Sequence, residues 1–202
     1  RVAPIRRAMG RIRLGVEEAQ EERRGPAFAP AGQSTQMIVG ADATDDRTIL
    51  GTAQSLYSAY RLKRVYYSAF SPIPSAPGGL PAEPPPLMRE HRLYQADFLL
   101  RGYGFRVEEL ISSPGNLPLD IDPKLAWALA NREQFPLDLN RAEPAMIARV
   151  PGIGVLSARR LADLRRERRI RYQDVVRLRC AMDKARPFII TQDYRPRLAD
   201  LE

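Results

Sequence analysis

Ile147-Ala148-Arg149-Val150-Pro151-Gly152-Ile153-Gly154-Val155-Leu156-Ser157-Ala158-Arg159-Arg160-Leu161 carries more structural information than any other stretch of the chain. Its pattern predicts a helix ending at Val150, a tight Pro-Gly-Ile-Gly hairpin, and a second helix beginning near Val155. Gly152 and Gly154 permit backbone conformations and close approaches that a Cβ obstructs. Ile153, between them, is an apolar plug for the core between the helices. Ala158 and Leu161 are small and apolar, as a close helix crossing requires. The amides of the hairpin and of the second helix's first turn have no intrahelical acceptor. They form an anion site, and a phosphate is the anion that fits.

Charge is concentrated around this stretch. Residues 140–186 hold 13 Lys and Arg against 5 Asp and Glu, residues 187–202 hold 2 against 3, and residues 1–139 hold 17 against 16. The net charge of +8 thus belongs to about a quarter of the chain, the footprint of a polyanion binder. At 202 residues, 44% hydrophobic and 28% charged, the composition is that of one or two soluble globular domains. With no long apolar run, neither a membrane-spanning helix nor a membrane partner is expected. The arginine-rich opening lacks the shape of a secretory signal, so a cytoplasmic location is expected. Because the chain opens on Arg1, it is expected to be a piece of a longer polypeptide. The single Cys180 excludes a disulfide framework and any multi-cysteine zinc or iron–sulfur site built from this chain alone. No catalytic residue and no metal ligand is assigned.

Upstream, Ile5, Met9, Ile12, Val16 and Ala19 recur at helical spacing through Pro4–Arg24, which Gly25-Pro26 ends. Ser34–Gly40 reads as a strand. Thr44 and Asp45 are N-cap candidates for a helix striped by Ile49, Ala53, Leu56, Tyr57 and Tyr60. Arg64–Phe70 reads as a second strand, parallel to the first through a right-handed crossover. Seven prolines make Ser71–Pro86 a loop or linker. Helices follow at Leu87–Arg101 and, from an Asp122 N-cap with Pro123 at the first position, to about Arg132. A closed (β/α)8 barrel takes about 250 residues, far more than lie before the basic segment. The expected fold class is therefore an α/β partial (β/α) barrel, N-terminal and incomplete, followed by an all-α domain. The sheet is expected to be completed by absent residues or by a partner.

The Pro-Gly-Ile-Gly stretch, with Leu139-Asn140-Arg141-Ala142 as lead-in, resembles the helix-hairpin-helix DNA-binding motif. Such units often occur in pairs, which implies a tandem module over 138–190, with a second hairpin lacking the glycines at Met182–Ile189. The resemblance implies phosphate contacts from Pro151, Gly152, Ile153, Gly154 and Val155, reinforced by Ser157, Arg159 and Arg160. Backbone contacts of that kind carry no base information, so binding is expected to be independent of sequence and sensitive to salt.

Arg6–Gly15, Gly32–Ala41, Arg64–Pro74 and Met88–Asp97 resemble the later part of a radical SAM barrel. With the hairpin domain, they are similar to bacterial DNA modification/repair radical SAM proteins. The resemblance implies a barrel portion over 1–110, a connecting helix and linker over 111–137, the DNA-binding domain over 138–190 and a tail over 191–202. For a full-length parent it implies a 4Fe–4S cluster and S-adenosylmethionine, with the upstream part of the same polypeptide as partner. Neither cofactor is expected to be bound by this chain alone, because the usual three cysteines are missing. Chemistry in a parallel barrel sits at the C-terminal strand ends, which nominates Gly40, Asp42, Ser68 and Ser71 as cofactor-facing. Two other functions compete: a non-enzymatic DNA receptor or tether, and a hairpin that docks a protein.

Overall fold

Apolar residues at helical spacing open the chain, and in the computed structural model they form helix α1, Val2–Glu21. The described residues are 2–22, 27–72, 79–111 and 115–197; the Gly25-Pro26 helix stop, residues 73–78 of the proline-rich 71–86 stretch and the last residues of the tail lie outside them. About 53% of the chain is helical, its strands are short, and the described residues form no closed barrel. Among them no helix is long and apolar enough to cross a membrane. Two units are distinguished, divided within one helix between Tyr94 and Gln95, with 115–116 belonging to the first.

The first unit is built on a parallel pair, β1 (Ser34–Val39) and β2 (Arg64–Ala69), joined through α2 (Asp46–Tyr60). Asp45 is the N-cap of α2, its carboxylate accepting from the Thr48 amide at 2.8 Å. Val39, Val65 and Tyr67 on one face of the sheet are buried with Leu50 and Ala53 of α2, whereas Ile38 and Tyr66 on the other face are exposed. The two outer edges of the sheet differ. On β2, the outward amides of Val65, Tyr67 and Ala69 donate to Tyr57 Oη, Tyr94 Oη and Glu90 Oε2 at 3.0, 2.9 and 2.7 Å. On β1, the outward amides of Ser34, Gln36 and Ile38 meet no acceptor among the described residues. One edge is closed by side chains and the other is open.

Helix α3, Leu87–Gly102, leads into the second unit. There follow α4 (Val107–Leu110), α5 (Pro123–Ala130), α6 (Pro144–Arg149), α7 (Val155–Glu167), α8 (Tyr172–Arg177) and α9 (Met182–Ala185). A two-residue parallel pair, β3 (Leu137–Asp138) and β4 (Ile189–Ile190), ties the start of this helical cluster to its end. Asp122 caps α5 through the Leu125 amide at 2.9 Å, with Pro123 at the first helical position. Leu139, Ile147, Ile153, Leu161, Ile170 and Ile189 are essentially solvent-free in the core. Trp127 joins the same core, edge-on to Phe105 at 5.2 Å and to Phe135 at 6.0 Å. Residues 111–137, read from sequence as a connector, thus contribute part of the core that holds Leu139 and Ile147.

Candidate functional site

The 150–154 turn joins α6 to α7. Pro151 and Gly152 occupy its second and third positions, with Ile153 N donating to Val150 O at 3.1 Å and φ of +79° at Gly152. Gly152 is required twice over: an L side chain disfavours this backbone, and a Cβ there would lie 2.3 Å from Ala181 O. Gly154 is different. Its φ is −84°, and a Cβ would meet only Tyr103 Oη at 3.8 Å, an ordinary contact. Nothing in the fold itself calls for glycine at 154.

The turn sorts its backbone polarity. Val150 O accepts from Ile153 N, Gly152 O from Ala181 N at 3.0 Å, Gly154 O from Ala158 N at 2.8 Å, and Ile153 O from Lys124 Nζ at 2.6 Å. These carbonyls are tied into the protein. The amides of Gly154, Val155, Leu156 and Ser157 find no acceptor among the described residues. Four unpaired donors thus stand in succession at the positive end of a helix of 13 residues, a region of positive potential. Arg159 and Arg160 are exposed on the next turn and form no ion pair among the described residues. Beside them Leu156 is 69% exposed.

Gly152, Gly154, Val155 and the Arg159–Arg160 pair therefore sit together, while Pro151 and Ile153 are buried supports. The Ser157 hydroxyl is engaged by the Cys180 thiol, so only the amide of Ser157 is free. Burial pushes that thiol up from the usual range, which Ser157 and Lys124 partly oppose. The second chain reversal lies at 178–181, before the predicted 182–189 segment, which is helical up to Phe188. It needs no glycine because Arg179 takes the left-handed conformation, at φ of +56°.

Two groups were not visible in the sequence. Lys124 is held beneath the turn with its ammonium 4.6 Å from the Tyr103 ring centroid, and burial pushes its pKa down to about 7. Of the Arg165–Arg169 cluster, Arg168 forks onto Asp174 at 2.6 and 2.8 Å, and Arg165 donates to the Ala142 carbonyl. Arg168 is therefore neutralised by the Asp174 carboxylate, whereas Arg165 is anchored on a carbonyl and has no acidic partner among the described residues.

In the first unit, Gly40 and Asp42 line one cavity of about 330 Å³ between β1, α1 and α2, walled by Met9, Met37, Ile49 and Leu56. Gly40 has φ of +81° and packs against the Pro85 ring, while the Asp42 carboxylate is held below the usual range by the Thr44 hydroxyl and by the Thr44 amide, which donates to it at 2.9 Å. Ser68 lies elsewhere, bonded to Gln36 Nε2 at 2.6 Å, and Ser71 is exposed. The structure brings together two of these four positions. The residues present do not fit a 4Fe–4S cluster: the chain has one cysteine, and among the described residues no three His, Cys, Asp or Glu side chains gather as a metal-binding group.

No family model, no curated protein and no solved structure matches this chain.

Proposed function

We propose that this chain binds DNA through the 150–157 segment, which acts as a helix-hairpin-helix and grips backbone phosphate without reading sequence. The observation that carries this is the row of four unpaired amides from Gly154 to Ser157, with the neighbouring carbonyls turned inward and Arg159 and Arg160 alongside. Phosphate oxygens accept from such amides, and the arginines add charge. Gly154 fits the same reading, since a glycine that the fold does not require is explained by a ligand backbone lying against it. The 178–181 reversal, joined to the first turn by the Ala181–Gly152 hydrogen bond, supports a paired hairpin module.

In this reading the first unit is the later part of a (β/α) barrel of the radical SAM type, and the whole is the DNA-binding C-terminal portion of a DNA repair or modification enzyme. The open edge of β1, opposite the side-chain-closed edge of β2, supports a further strand supplied from upstream. No chemical step is assigned to this chain, because it lacks the thiolates the cluster needs. Exposed Leu156 favours the competing reading, in which the hairpin docks a protein.

The test is equilibrium binding of duplex DNA by the wild-type chain and by Gly154→Ala. Gly154→Ala is expected to keep the wild-type melting temperature and to bind about tenfold more weakly. Wild-type affinity in a stably folded Gly154→Ala protein contradicts the phosphate reading; loss of protein binding without loss of DNA binding supports docking instead.

A further inference from the structure

A second anion site is built at the other end of α7. Asp138, Asn140, Arg141, Arg165, Arg169 and Arg195 line a cavity of about 470 Å³, completed by residues 190–192. Three segments form its wall, and each is fixed by hydrogen bonds. Asn140 clamps Ile170 in both directions, its Nδ2 donating to Ile170 O at 3.2 Å and its Oδ1 accepting from Ile170 N at 2.7 Å. Gln192 N donates to the same Ile170 carbonyl at 2.9 Å, and Leu139 N to Ile190 O at 3.0 Å. The four guanidinium groups come from these different segments, so the concavity is assembled by the fold and not by a local run of arginines.

The cavity has one carboxylate. Asp138 accepts from the Asn140 amide at 2.9 Å and lies 3.7 Å from Arg141. Arg165, Arg169 and Arg195 have no acidic partner among the described residues. Four guanidiniums against one carboxylate leave a net charge of three in a concave, mostly polar space. Planar guanidinium forks match phosphate oxygens. An internucleotide phosphodiester brings a single charge and continues in both directions along a convex duplex. A phosphomonoester brings about −1.5 to −2 at neutral pH and ends the chain that carries it. The geometry points to a phosphomonoester-binding pocket, filled by the phosphorylated end of a nucleic-acid strand or by a free nucleotide. The strand-end form rests on the DNA-binding reading above; the free-nucleotide form does not.

The experiment uses the whole chain at near-physiological salt, where exposed-charge attraction is screened. A short labelled DNA strand with a phosphorylated end is compared with the same strand ending in hydroxyl, and adenosine monophosphate is titrated separately. The phosphorylated strand is expected to bind about tenfold tighter, a preference lost in the Arg169→Gln/Arg195→Gln double variant. Arg166→Gln, exposed and off the pocket, keeps it. Both substituted side chains of the double variant are exposed, and an unchanged melting temperature verifies the fold. If adenosine monophosphate binds with the same arginine dependence while no DNA binds, the pocket holds for free nucleotides and the DNA-binding reading fails. Equal affinity for both strand ends, with no arginine-dependent nucleotide binding, overturns the pocket and leaves the DNA-binding reading standing.

Discussion

At the residue scale, the two glycines of the turn do different work. Gly152→Ala forces a side chain into the left-handed region and onto the Ala181 carbonyl, and is expected to cost roughly 3 kcal/mol of stability by chemical denaturation. Gly154→Ala is expected to leave stability within about 1 kcal/mol of wild type. Lys124 gives a prediction with a sign. Its pKa falls to about 7 in the folded chain against 10.5 for an ordinary lysine, so between those values the unfolded chain binds the extra proton. Stability therefore rises with pH from about 7 towards 10, and below 7 the full penalty of a buried charge applies. Thermal melts of Lys124→Met are expected to lack this rise and to gain most over wild type below pH 7; parallel pH profiles would contradict it. Gly152 was legible because Pro-Gly is a local turn signal. Lys124 was not: its environment is set by Ile153, which is 29 residues away in sequence.

At the element scale, β2 is an edge strand whose free amides are covered by tyrosine and glutamate side chains. Tyr94 Oη both accepts from Tyr67 N and donates to Tyr67 O, each at 2.9 Å. Tyr94→Phe leaves a buried amide unpaired and is expected to destabilise the chain by roughly 1–3 kcal/mol, read from denaturant midpoints. An unchanged midpoint would show that the edge is not held this way. The elements that sequence reading placed well have local causes. Asp45 and Asp122 are short acceptors before helical stripes, and Ser34–Val39 and Arg64–Ala69 alternate as half-buried strands do. The second reversal was misplaced because Arg179, unlike glycine, carries no signature of a positive φ. The arginine pocket was invisible for a different reason: Arg141, Arg165, Arg169 and Arg195 converge only after β3 and β4 pair.

For the whole molecule, the +8 of the sequence divides into roles that composition does not distinguish. Arg149 is structural, forked onto Glu109 at 2.6 and 3.3 Å and stacked over Phe105 and Trp127. Arg168 is likewise committed to Asp174. Arg159 and Arg160 beside the free amides, and Arg169 and Arg195 at the second pocket, have no acidic partner among the described residues, and in the proposed reading they meet phosphate. That partition makes phosphate binding by the 150–157 segment the central claim. Its most direct test is the affinity of the chain for duplexes of unrelated sequence, measured across a range of salt. A plot of log affinity against log salt is expected to fall with a slope of about −2 to −4, equal for the duplexes and shallower by about one in Arg159→Gln. Binding that ignores salt, discriminates between the duplexes, or is absent even at low salt would contradict it.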